Sequence, residues 1–162
     1  MPIVFYVMNK YRKGVIAIIV DYNNQFLLVQ LKGEGKGDWN FPGGGCEPDE
    51  SAEDCLWREM KEEVGQNKSS LTLIGKSKNI NRYEYNSELL EVKRKQGSPY
   101  IGQEKHQFVL KFNGVNNEIK LNEDEFTDYK WVDVSELKNY LLFPGQYERA
   151  IEMIREFNLA KV

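Results

Sequence analysis

Glu59, Glu62 and Glu63 are the residues whose type and spacing most directly suggest chemistry. At relative positions 0, 3 and 4 they share one face of a helix, with side chains ~5–6 Å apart. Carboxylates held that close repel and raise one another's proton affinity unless a cation sits among them. A hard divalent cation bound through oxygen is the natural counterion. Just upstream lie Gly43, Gly44 and Gly45, where the backbone can approach other groups more closely than any side chain would permit. Carbonyls of such a loop can ligate a cation beside the helix carboxylates, an arrangement suited to Mg²⁺ chemistry on phosphates. No GKS or GKT follows directly on the glycines, so this is not the usual nucleotide-binding P-loop.

The carboxylates need a helix to aim them, and the sequence marks one. Ser51 with Asp54 three residues on reads as an N-terminal cap, and Gly65 as the C-terminal stop. Ala52, Leu56, Met60 and Val64 recur every four residues and form the stripe that would be buried. That stripe fixes the helix rotation, and the rotation directs the glutamates.

Around this unit the chain reads as alternating strands and loops. Residues 14–20, GVIAIIV, suit a central strand; Asp21 to Gln25 is a polar turn, and Phe26 to Leu31 is a second strand paired back on the first. In the glycine-rich KGEGKGD that follows, Lys32 or Lys36 could meet phosphate. Leu71 to Gly75 is expected as a short strand, and residues 84–99 as polar and irregular, with a basic cluster at Lys93, Arg94 and Lys95. Strands are expected from His106 and over Tyr129 to Val134, then a short helix capped by Ser135. A packed C-terminal helix should carry Tyr147, Ile151, Ile154 and Phe157. The class is α/β: a mixed sheet covered on both faces, in one domain spanning residues 1–162.

Composition narrows the function. Net charge is -3, from 25 acidic and 22 basic side chains, which argues against a broad nonspecific nucleic-acid-binding face. The single histidine, His106, excludes catalysis by paired histidines and is expected to be a strand residue or rim contact, not a base. No apolar run approaches the ~18–20 residues that cross a membrane, and the start lacks the pattern of a secretory signal. Cys46 and Cys55 are too few for a disulfide framework, so a cytoplasmic setting is expected. No feature sets the oligomeric state.

The central stretch resembles the signature box of the Nudix hydrolases: G, five residues, E, seven residues, then R-E-U-x-E-E-x-G-U with U bulky and aliphatic. Here it runs Gly44, Glu50, Arg58, Glu59, Met60, Glu62, Glu63, Gly65. Gln66 stands in the last U position, a departure expected to weaken packing slightly. The resemblance implies a Nudix α/β/α sandwich and metal-dependent hydrolysis of a phosphoanhydride. It implies metal ligation by Glu59, Glu62, Glu63 and the Gly44 carbonyl, with Mg²⁺ or Mn²⁺ and more than one ion. Glu63, then Glu59, is the candidate proton acceptor, and Arg58 orients the carboxylates.

Outside the box, YRKGV, NINRY, YIGQEKHQFVLKF and EDEFTDYKWV resemble the branch of bacterial RNA 5′-pyrophosphohydrolases and asymmetric dinucleoside tetraphosphate hydrolases. That likeness implies Glu125 as a further metal ligand, Arg12 and Lys32 as phosphate contacts, and Tyr83 and Phe126 as residues of a base pocket. Gln103 and Lys105 lie in the branch-specific segment. The implied substrate is a nucleotide or 5′-triphosphate RNA, cleaved to a monophosphate end, or Ap4A, cleaved to ATP and AMP. The alternatives are a nucleoside triphosphate or other small nucleoside-diphosphate derivative, or a Nudix module that binds without cleaving.

Overall fold

The computed structural model describes residues 10–33, 38–115 and 118–162. Lys36 lies outside them. Seven strands form one mixed sheet: β1 (Tyr11–Val20), β2 (Gln25–Leu31), β3 (Trp39–Asn40), β4 (Gly43–Gly45), β5 (Leu71–Glu84), β6 (Gly102–Phe112) and β7 (Phe126–Asp133). The main path runs β3-β2-β1-β6-β5, with β4 paired to β1 and β7 to β2. β1 and β6 are parallel over ten registered pairs, and the remaining pairings are antiparallel.

The uninterrupted apolar run of β1 follows from burial on both sheet faces. Val15, Ala17 and Ile19 pack with Leu27, Val29 and, from helix α1 (Ala52–Val64), Leu56, Met60 and Val64. Ile18 and Val20 face the other way, onto Phe26, Leu28 and the helix α4 (Gln146–Glu156) residues Ala150, Ile151 and Ile154. Helix layers on both sides of the sheet make the α/β/α sandwich that the signature implies.

α1 begins and ends as its sequence signals. The Ser51 Oγ accepts from the Asp54 amide at 3.1 Å, and Gly65 closes the helix in the left-handed region at φ 68°. Gln66 corrects the expectation of weakened packing. It is buried, donates to the Glu118 carbonyl at 2.8 Å and accepts from Ser70 Oγ at 2.6 Å, so its amide ties the helix end to two loops.

Other expectations need correction. Residues 84–99 are not irregular: helix α2 spans Ser87–Lys95, capped by the Asn86 side chain accepting from the Leu89 amide at 2.9 Å. Its residues are all exposed or half-buried, and Leu89, Leu90 and Val92 are its only apolar side chains. β5 continues far past Gly75, held to β6 through two register shifts. β2 meets β1 only at Val20↔Phe26 and pairs mainly with β7. The Ser135 region is a 3₁₀ turn, Val134–Glu136, followed by helix α3 (Leu137–Tyr140), with no side-chain cap. Cys46 and Cys55, too few for a disulfide framework, are nonetheless joined in one disulfide, their Cα atoms 5.3 Å apart. Nine residues apart in sequence, they meet because β4 delivers Cys46 beside the first turns of α1.

Candidate active site

The divergence of β1 from β2 is where the site is built. Below Val20↔Phe26 the glycine strand β4 takes the partner position on β1, with Gly14↔Gly45, Val15↔Gly44 and Ile16↔Gly43 in register. Each glycine meets a close neighbour. A Cβ on Gly44 would overlap the Glu59 carboxylate, and one on Gly45 would overlap the Arg12 guanidinium. The Gly43 amide donates to Glu63 Oε2 at 2.9 Å. The loop therefore presses its backbone onto the catalytic face of α1, and only glycine leaves room there.

Arg58 locks the two together. Its Nε and Nη2 clasp both oxygens of Glu50 at 2.8 Å, and Nη2 also donates to the Gly45 carbonyl at 2.9 Å. Nη1 reaches Glu59 at 3.0 Å and Glu62 at 3.1 Å. The i,i+4 contact with Glu62 is thus one part of a larger clamp. This hydrogen bonding holds the Glu50 carboxyl below the usual range and raises the guanidinium's own pKa.

The carboxylates differ in environment. Glu59 and Glu63 are buried, whereas the Glu62 side chain is 55% exposed. Burial pushes the Glu63 carboxyl up to about 9, opposed by the Gly43 amide and reinforced by Glu59 and Glu125. Burial also raises Glu59, while Arg58 pulls it down. Glu125 arrives from the turn before β7. Asn122 in that turn donates its amide to the Glu63 carbonyl at 3.0 Å, which brings Glu125 within hydrogen-bonding reach of Glu63.

Glu63 and Glu125 open onto a cavity of about 810 Å³. Gly44, Glu63, Lys105, Tyr83, Glu125 and Phe126 line it, six of the twelve residues singled out from sequence. Burial lowers the Lys105 pKa, Arg12 and Arg149 lower it further, and Glu63 opposes them. Tyr83 donates its hydroxyl to Gln103 Oε1 at 2.8 Å, so Gln103 positions the tyrosine without itself lining the cavity. Phe126 is buried in the core cluster and offers the cavity little ring surface. Lys32 points elsewhere, donating to the Glu123 carbonyl at 3.2 Å. Half-buried His106 lies on β6 between two cavity residues, Lys105 and Gln107, and alternation turns it to the opposite face.

Sequence reading missed Phe143, Gln146 and Arg149, which close the cavity from the α4 side. Phe143 is 47% exposed. A lone aromatic before Pro144-Gly145 and an arginine on an amphipathic helix carry no distinguishing pattern. The dense β1–β6–β5 pairing and the packing of α4 bring them opposite Tyr83.

The donor set fits hard divalent cations. Glu59, Glu63 and Glu125 are oxygen donors brought together, Glu63 meeting both Glu59 and Glu125. Among the described residues, the one set of three such side chains whose ligand atoms all lie within 4.8 Å of one another is Cys46, Glu50 and Cys55. Its sulfurs are joined to each other and its carboxylate is held by Arg58, so it suits a hard cation less well. Among the described residues no helix is long and apolar enough to cross a membrane.

Comparison with known proteins gives the same picture. The NUDIX domain family model matches residues 10–157. The chain is 36% identical over 127 residues to the RNA pyrophosphohydrolase of Shewanella denitrificans, covering 76% of this chain and 71% of that protein. It is 30% identical over 135 residues to the RNA pyrophosphohydrolase of Erythrobacter litoralis, covering 82% and 80%. Among solved structures, the E. coli dihydroneopterin triphosphate pyrophosphohydrolase superposes with TM-score 0.70 at 20% identity, over 91% of this chain and 99% of that one. A C. elegans Ap4A hydrolase gives 0.62 at 20% identity, over 90% and 95%. These two structural likenesses speak for the fold alone.

Proposed function

The chain belongs to the Nudix family, in its RNA pyrophosphohydrolase branch, and is a phosphoanhydride hydrolase; from that premise we propose that it removes pyrophosphate from 5′-triphosphate RNA using Mg²⁺ or Mn²⁺. The observation that carries the reading is the meeting of Glu63 and Glu125, with Glu59 against Glu63, at one end of a cavity that also holds Lys105, Tyr83 and Arg149. Carboxylates at one end and cations with an aromatic ring along the wall match a metal-bound polyphosphate that ends in a base. In this reading the domain spans the whole chain and works in the cytoplasm, where RNA ends occur and cellular thiols can reduce Cys46–Cys55.

When bound, the divalent ions supply a lowered water pKa and neutralise anhydride oxygens. Glu59, Glu63 and Glu125, with the exposed Glu62 and the Gly44 carbonyl, are the groups that would hold them. The chain's own residues do the rest. Arg58 fixes the rotamers of Glu59 and Glu62 against the loop, so that little reorganisation is needed on binding. Lys105 and Arg149, with Arg12 over Gly45, hold phosphate oxygens. Glu63 takes the water proton, with Glu59 the second candidate. Tyr83 and Phe143 hold the base.

The test is a side-by-side measurement of kcat/KM on 5′-triphosphate RNA, Ap4A and ATP with Mg²⁺, with Glu59→Gln as control. RNA should be preferred by at least about tenfold over Ap4A, consistent with a few additional contacts at ~1.4 kcal/mol per decade. A preference for Ap4A or ATP would move the chain to the small-molecule reading. Full activity in Glu59→Gln would overturn the ligand assignment.

A further inference from the structure

The Cys46–Cys55 disulfide lies beside the site and takes no part in the proposed chemistry. Cys46 directly follows Gly45, and its amide donates to the Lys13 carbonyl at 2.8 Å, extending the contact of β4 with β1. Cys55 stands near the start of α1, its amide donating to the Ser51 carbonyl at 2.9 Å. Both residues are buried, Cys55 wholly and Cys46 at 7% exposure. Arg58 follows Cys55 by about one helical turn, and its Nη2 lies 4.0 Å from the Cys55 Sγ. The same nitrogen donates to the Gly45 carbonyl and to Glu50. Disulfide and guanidinium therefore tie the same two parts together, the end of β4 and the start of α1.

As a staple the bond adds little. A cross-link restrains the unfolded chain more as the loop it closes grows, and a separation of nine residues is short. The loop is already held by the Ser51 cap, by Arg58 on Glu50, and by the Glu47 amide donating to Glu50 at 3.1 Å. Its place gives the bond a different leverage. Gly44, two residues before Cys46, lies so close to the Glu59 carboxylate that no Cβ fits between them. Opening the bond turns a bonded pair of sulfurs into two thiols that must part, inside the close-packed cluster that also holds Val15 and Leu56. α1 has thirteen residues and a buried face, β4 only three, so the displacement falls on Cys46 and the glycines before it.

Resting on the proposed placement of the metal between Gly44 and the glutamates, we propose that Cys46–Cys55 is a thiol–disulfide switch. The closed bond holds the glycine strand on α1 for turnover; reduction releases the strand and slows turnover. A dithiol reductant opens the bond by exchange. One of its thiolates attacks the sulfur of Cys46, the more exposed of the two residues, and forms a mixed disulfide. The Cys55 sulfur leaves with the bonding pair, beside the Arg58 guanidinium, and takes a proton from solvent. The reductant's second thiolate then displaces the Cys46 sulfur, which is protonated in turn, and the reductant ends as its own disulfide. Two electrons have passed from the dithiol to the two cysteines. An excess of a low-molecular-weight disulfide closes the bond again, being itself reduced to two thiols.

The experiment measures kcat and KM with Mg²⁺ on 5′-triphosphate RNA and on Ap4A, for the full chain reduced with dithiothreitol and then re-oxidised with oxidised glutathione. Alkylation and mass spectrometry count the free thiols in each state, none when closed and both cysteines when open. Reduction should lower kcat about tenfold on each substrate the enzyme cleaves, with KM nearly unchanged, and re-oxidation should restore it. The double variant Cys46→Ser, Cys55→Ser should match the reduced wild type and respond to neither reagent. Thermal denaturation checks that every form is folded at the assay temperature. A bond that dithiothreitol leaves closed would overturn the switch. So would a reduced enzyme whose kcat is unchanged or raised while only its melting temperature falls, which would leave a staple and the proposed hydrolysis standing. An equal loss when dithiothreitol is added to the double variant would place the effect elsewhere and overturn it too. No cleavage of either substrate in either state would instead remove the proposed site, and the switch with it.

Discussion

Two walls of the cavity are built in opposite ways. On one side, β4 and α1 meet with no slack: Gly44 against Glu59, Gly45 against Arg12, and Arg58 bonded to Glu50, Glu59, Glu62 and the Gly45 carbonyl. On the other side, Tyr83, Leu89 and Phe143 stand 40–47% exposed on an edge strand, an unburied helix and a loop. In the proposed reading the first wall holds the reacting groups, whose positions tolerate little error. The second would meet the outer part of the substrate, where exposed surface changes without disturbing the core.

The sharpest way to break this contrast is at Gly44. Gly44→Ala drives a methyl into the Glu59 carboxylate, and kcat should fall about 100-fold with a near-native melting curve. A variant that keeps its activity would show the loop to be loose. Arg58→Ala comes next, because it strips the mostly buried Glu50 and Glu59 of their cation. With the guanidinium side chain 27% exposed, the cost should be about 2–3 kcal/mol in chemical denaturation, below that of a fully buried pair. On the exposed wall, Phe143→Ala should act differently, raising KM about tenfold with kcat nearly unchanged, since it removes a stacking surface shared by ground and transition states. A drop in kcat would make Phe143 part of the tight wall.

The smallest effect should come from His106, turned away from the cavity. Burial, with Lys76 and Lys13, lowers its pKa from 6.5, and Glu104 opposes them. The unfolded chain therefore takes up that proton first, so stability declines as pH falls through about 6.5. His106→Gln should flatten this part of the stability–pH curve by less than about 1 kcal/mol. Activity should change little, and a large loss would return His106 to the site.

The tight wall was also the readable one. Glycines that must meet a carboxylate, a cap, a four-residue apolar stripe and a left-handed stop are all local requirements, so the segment from Gly43 to Gly65 carries its own geometry in its residue order. The far wall left fainter traces. α2 escaped notice because an exposed helix needs no apolar periodicity, and Asn86 with a basic last turn is a weak signal in isolation. Lys32 looked well placed in sequence, yet the chain turns it toward the Glu123 carbonyl.

Residue order alone thus set the rotation of α1, the identity of the carboxylates and the family's chemistry, because helix periodicity and backbone sterics act over a few residues. Tertiary structure decided what those carboxylates face. Only the parallel β1–β6 pairing, the irregular β5–β6 edge and the docking of α4 bring Lys105, Tyr83 and Arg149 together across the 66 residues from Tyr83 to Arg149. It also closed Cys46 onto Cys55 and gave the buried Gln66 its partners, contacts between segments that no local pattern records.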